Sequence, residues 1–150
     1  MKLESSAFKN DGVIPEKYAH QRENVSPPLT WSGVPRGAKS LALIVDDPDA
    51  PSGTFVHWLV WDISPETTGL AEGAGSGKLA GGARQGRNGF GEVGYDGPQP
   101  PSGTHRYYFR LYALDSKIDE AAGATRAQLD RAMRGHVMEK CELMGKYSHR

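Results

Sequence analysis

TFVHWLVWDI, residues 54–63, is the stretch that decides the fold. It is dense in β-branched and aromatic residues, which suit a pleated, packed surface. Strand alternation puts His57, Leu59, Trp61 and Ile63 on one face and Val56, Trp58, Val60 and Asp62 on the other. The stretch reads as a strand in which a histidine shares a face with three large apolar groups. Upstream, LALIV at residues 41–45 is a continuous apolar run between Lys39-Ser40 and Asp46-Asp47-Pro48. It reads as a second buried strand, ended by turn residues. Downstream, HRYYFRLYAL at residues 105–114 reads as a third, with His105, Tyr107, Phe109, Leu111 and Ala113 on one face.

Around these three runs the chain is rich in turn formers. Its 19 glycines and 10 prolines follow no fixed period, as expected of many turns in a mainly β domain. Residues 64–101 are glycine-rich and loop-like, the kind of segment that carries binding function, and Pro98, Pro100 and Pro101 stiffen its end. The first 35 residues, with Pro15, Pro27, Pro28 and Pro35, predict short strands and turns. One helix is expected near the C-terminus. Thr125 and Gln128 form a capping box, and Leu129, Met133, Val137, Cys141 and Met144 recur at helical spacing up to a stop at Gly145. Such a stripe is a seam that packs against the sheets.

At 150 residues the chain fits one domain, 1–150, with a core that needs no staple. Eighteen basic residues balance eighteen acidic ones, so a nucleic-acid partner is not expected and any electrostatic function must be local. The single cysteine, Cys141, permits no internal disulfide, and no zinc-ligand spacing is present. The start, MKLESSAFKN, has no apolar leader core, and LALIV is far shorter than the roughly 20 residues a membrane helix needs. These features predict a cytoplasmic protein without stable membrane insertion.

Two pattern matches carry nothing. GFGEVG at residues 89–94 satisfies GxGxxG, but Tyr95-Asp96-Gly97-Pro98 comes after it where a helix should open. Gly77-Lys78 has the look of a phosphate loop, but Leu79 replaces the required Ser or Thr. More telling is Asp46-Asp47-Pro48-Asp49, whose three acids repel one another unless donors or cations sit nearby. If the strands are neighbours, Asp47, His57 and His105 converge at one end of the sheet. Imidazoles can donate to an anion while a carboxylate fixes their tautomer. The same groups could instead form a two-histidine, one-carboxylate metal site.

ENVSPPLTWSGVP (23–35), DDPDAP (46–51), HWLVWDI (57–63) and GYDGPQPPSGTHRYYFRLYALD (94–115), in this order, resemble the phosphatidylethanolamine-binding protein family, also called Raf kinase inhibitor-like. GHVMEKCELMGKYSHR (135–150) is similar to the tail of its bacterial and archaeal branch. The resemblance implies a Greek-key β-sandwich of two antiparallel sheets with a C-terminal helix, and a pocket for phosphate, phosphoryl head groups or carboxylates. By motif, the ligand contacts fall on Asp47, His57, His105 and Tyr107, with Pro100 and Pro101 as one wall and Asp49 and Pro51 as structural braces. No cofactor and no metal are implied. The short 52–56 segment lacks the family's longer eukaryotic insertion, with its pocket tyrosine. Gln99 stands where bacterial relatives often have cysteine, and Tyr95 fits the family's GY.GP pattern.

The function implied is a non-enzymatic regulatory module that binds a small anion, alone or on a phosphorylated or protein partner, as kinase- or protease-inhibitor members of the family do; homodimers are known there. Two alternatives use the same residues differently: a hydrolase or metal-dependent enzyme built on the Asp/His cluster, and a serine protease inhibitor acting through the glycine-rich loop.

Overall fold

The computed structural model describes residues 1–77 and 79–149; Lys78 of the phosphate-loop look-alike and the terminal Arg150 lie outside the described residues. The strands are β1 (Lys2–Glu4), β2 (Gly12–Val13), β3 (Leu29–Ser32), β4 (Ser40–Asp47), β5 (Phe55–Ile63), β6 (Gly69–Leu70), β7 (Arg84–Gln85), β8 (Thr104–Leu114) and β9 (Val137–Ser148), with one α-helix, α1 (Arg126–Met133), among the described residues. They form a three-stranded sheet, β1-β3-β6, and a six-stranded sheet, β2-β9-β8-β4-β5-β7. The three runs read as strands are β4, β5 and β8, and β4 sits between the other two. All paired strands run antiparallel except β2, which lies parallel to β9.

Two apolar layers flank the six-stranded sheet. One fills the space between the sheets, where Leu3, Leu29 and Trp31 meet Leu43, Trp58, Phe109 and Leu143. The other lies beneath α1, where Leu129 and Met133 meet Ile44, Leu59, Trp61 and Leu114. Every residue of β4 is therefore covered. A continuous apolar run is the sequence signature of a strand packed on both faces.

The expected helix is shorter than its stripe. Thr125 caps α1 with the predicted box, but the helix ends at Met133 and Val137, Cys141 and Met144 belong to β9. Gly135 adopts φ +82°, which turns the chain out of the helix. Beyond it Cys141, Leu143 and Tyr147 join the core between the sheets at a period of two. Eleven register pairs with β8 satisfy a backbone that a helix would have satisfied alone. Over so few residues a spacing of four fits both periods, and tertiary pairing decided between them.

Strand β5 also departs from simple alternation. Its pairing with β4 slips twice, at His57 and again between Val60 and Ile63, so each point holds one extra residue, a β-bulge. At the second, Asp62 takes φ +55° and its carboxylate accepts from the Ile118 N–H at 2.8 Å. As a result Trp58, Val60 and Ile63 share the inter-sheet core, while Leu59 and Trp61 lie under the helix. His57 does not share the face of Leu59 and Trp61: its ring meets Tyr107, on the inter-sheet side of the sheet that also holds Ile63.

Candidate functional site

The ends of β4, β5 and β8 converge with the loops 50–53 and 99–101 around a cleft of about 360 Å³. Asp47, His57, His105, Tyr107, Pro51 and Pro101 all line it. Pro100 does not. It lines a neighbouring groove instead, together with Gln99 and Pro101, which line both. Asp49 stands behind the cleft, its carboxylate gripping the Arg106 guanidinium at 2.8 and 2.9 Å and accepting the Arg106 backbone N–H at 2.9 Å. These bonds to Arg106 hold the Asp49 carboxyl down to about 2.

Each imidazole is anchored through Nδ1. His105 Nδ1 lies 2.6 Å from Asp47 Oδ2 in a buried contact. The other Asp47 oxygen accepts the Asp49 N–H at 2.7 Å, closing the turn after β4. His57 Nδ1 lies 2.7 Å from the Asp96 carbonyl. A carbonyl only accepts, so Nδ1 carries the proton and Nε2 is the free nitrogen. The Asp96 N–H in turn donates to the His57 carbonyl at 3.1 Å, and the Asp96 carboxylate accepts from Asn24 and Asn88 at 2.7 and 2.8 Å. Three loops thereby fix one ring.

The walls are aromatic. The His57 ring lies edge-on to Tyr107, with centroids 5.2 Å apart, and tilts against Phe55 at 5.1 Å. Phe90 meets both Phe55 and His57. Burial lowers the His57 pKa, outweighing the carbonyl bond and the Asp47 charge that act the other way. Burial pushes the Tyr107 phenol well above its usual range, helped by the Asp47 and Asp49 charges. Its hydroxyl is buried and makes no hydrogen bond of ordinary geometry among the described residues, although the Gln99 main chain is near enough to favour the phenolate slightly.

Phe55, Phe90, Ser52 and Gln99 also line the cleft, and sequence reasoning assigned none of them to it. Phe55 opens the strand that decides the fold, and Phe90 sits inside the discarded GxGxxG match; neither carries a signal beyond its aromaticity. Asp96, the partner of His57, acts through its backbone and so left no mark in residue type. Tyr95 packs away from the cleft, its hydroxyl donating to the Tyr18 carbonyl at 2.8 Å.

The sequence model described as "Phosphatidylethanolamine-binding protein" matches residues 4–148. The chain belongs to the phosphatidylethanolamine-binding protein family. Among curated relatives of this family member, a UPF0098 protein of Methanothermobacter thermautotrophicus is 51% identical over 148 residues, 98% of each chain. One from Chlamydia muridarum is 48% identical over 152 aligned residues, again 98% of each. Among solved structures, a putative phosphatidylethanolamine-binding protein homologue from Chlamydia trachomatis superposes with a TM-score of 0.90 at 46% identity, covering 99% of this chain and 97% of its own. E. coli YbcL, described as a member of the mammalian family, superposes at 0.93 with 33% identity, covering 99% and 98%.

In this family member the cleft therefore offers two imidazoles with Nδ1 committed and Nε2 free, and a carboxylate with both oxygens already bonded. Among the described residues no group of three or more histidine, cysteine or carboxylate side chains is placed to hold a metal ion. Among the described residues, no helix is long and apolar enough to cross a membrane.

Proposed function

We propose that the cleft receives a small oxyanion, a phosphate, phosphoryl group or carboxylate, and that the chain is a binding and regulatory module. The observation that carries this reading is the pair of anchored imidazoles presenting Nε2 into an aromatic-walled cleft. A neutral Nε2 accepts an O–H from a protonated oxyanion, and a protonated one donates to an ionised oxyanion. Binding and proton uptake are thus linked at His57, whose burial resists the charge until an anion compensates it. Among the described residues neither ring is hydrogen-bonded to Ser52, the hydroxyl that lines the cleft, which favours binding over acyl transfer. One or two charge-assisted hydrogen bonds, each about 1.5–3 kcal/mol, hold a bare anion weakly. Tight binding calls for a larger ligand or a partner surface, which suits regulation.

The test is a phosphate titration followed on the ring signals of His57 and His105, in the wild-type protein and in Asp47→Asn. Saturable shifts of both rings, with a His57 pKa that rises on binding and a weaker response in Asp47→Asn, are expected. Rings that ignore phosphate up to molar excess would sink the reading.

A further inference from the structure

A second groove of about 530 Å³ runs beside the anion cleft, and Gln99 and Pro101 line both. It is lined by Gln21, Arg22, Tyr147 and His149 together with Pro98 and Pro100. The crest is held from below: the His20 N–H donates to the Pro98 carbonyl at 3.0 Å, and His149 Nδ1 to the Pro100 carbonyl at 2.9 Å. Among the described residues, no carboxylate lines this groove, and Arg22 supplies a permanent positive charge. Its ion pair with Glu16, at 3.6 Å between half-exposed side chains, is weak enough to exchange.

We propose that the crest at Gln99 and Pro101 joins the anion cleft to a second subsite, and that the two together hold an extended acidic peptide. One oxyanion-bearing side chain enters the cleft, and a carboxylate-bearing residue lies beside Arg22. The proposal rests on the anion-cleft reading and adds the class of partner. The primary amides of Gln21 and Gln99 match a peptide backbone, whereas an acyl chain would leave them and Arg22 desolvated without partners. The proline faces supply apolar contact and, lacking N–H groups, do not compete for the peptide's acceptors.

The test uses acetylated phosphoserine peptides with a glutamate one to four residues to either side, each beside its glutamine counterpart. Binding is read by calorimetry against inorganic phosphate. At the matching spacing the glutamate peptide binds roughly threefold to fivefold more tightly than the glutamine one. Arg22→Gln removes that difference without changing phosphate affinity, and Arg22→Lys keeps part of it. Phosphate binding with no glutamate preference at any spacing, or a preference that survives Arg22→Gln, overturns the second subsite while sparing the anion cleft. Loss of all phosphate and peptide binding overturns the cleft itself. Arg22-dependent capture of phosphatidic acid vesicles with no peptide binding assigns the groove to lipid and overturns the peptide proposal.

Discussion

Asp46 and Asp47 are consecutive residues of β4 whose carboxylates serve opposite faces of the six-stranded sheet. Asp47 holds His105 at the cleft, while Asp46, barely exposed, accepts from Arg110 at 3.0–3.2 Å and from Arg126 at 3.0 Å on the helix side. Arg110 also pairs with Glu142 and Arg126 with Asp130, so the helix start and β8 are tied to β4 through one buried acid.

This division predicts different losses. Asp46→Ala leaves two partly buried guanidinium groups short of an acceptor and costs about 2–3 kcal/mol, less than a fully buried pair because both arginines reach water. Asp47→Asn costs about 1.5 kcal/mol and weakens anion binding, which Asp46→Ala leaves within a factor of two. Urea unfolding and phosphate titration on the two variants separate the roles; equal losses of binding would contradict the two-faced arrangement.

The lowered pKa of buried His57 sets a pH dependence. Below pH about 6.5 the unfolded chain binds a proton that the folded protein resists, so stability falls as pH drops through that region, by at most about 1.4 kcal/mol per pH unit. His57→Gln flattens the slope, and saturating phosphate, which favours the protonated ring, lessens it. Thermal unfolding between pH 7 and pH 5 measures both effects. A slope unchanged in His57→Gln assigns it to another group.

Asp49 titrates in a lower window. Its folded pKa of about 2 lies beneath the ordinary 3.8, so its bond to Arg106 contributes stability above about pH 4 and loses it as pH falls toward 2. Arg106→Ala moves the Asp49 carboxyl back toward the ordinary value, which carbon NMR of the side chain reads directly. An Asp49 pKa that stays near 2 in the variant would assign the shift elsewhere.

Tyr107→Phe removes a buried hydroxyl without a well-formed bond among the described residues. The expected outcome is stability equal to wild type or higher by up to about 1 kcal/mol, with phosphate affinity reduced as much as tenfold where the hydroxyl donates to the ligand. A clear loss of stability shows instead that the hydroxyl bonds to the Gln99 main chain.

Gly97 precedes the proline-rich loop, and a Cβ there would stand 1.8 Å from the Tyr18 carbonyl oxygen. Gly97→Ala must move backbone and costs more than about 2 kcal/mol, lowering ligand affinity as the loop shifts. Gly135→Ala meets open space and bears only the penalty of a left-handed conformation, about 1–2 kcal/mol, with binding intact.

The amino-acid sequence by itself determined the strand cores, the family and the set of polar residues that gather at the cleft. Apolar runs flanked by Asp, Pro and Gly leave little choice but buried strands, as β4, β5 and β8 show. The helix start was equally legible, because a capping box is a local bond between Thr125 and Gln128. The strand after Gly135 was not legible, since the three- and four-residue spacing of Val137, Cys141 and Met144 suits a helix until β8 offers its edge. The orientation of His57 belonged wholly to tertiary structure. Simple alternation turns it toward Leu59 and Trp61, and only a one-residue slip against β4 brings it to Tyr107. Its tautomer is set by a carbonyl 39 residues away, at Asp96. Backbone carbonyls are the same in every residue, so no reading of side chains could have found that partner; the fold alone put it within reach.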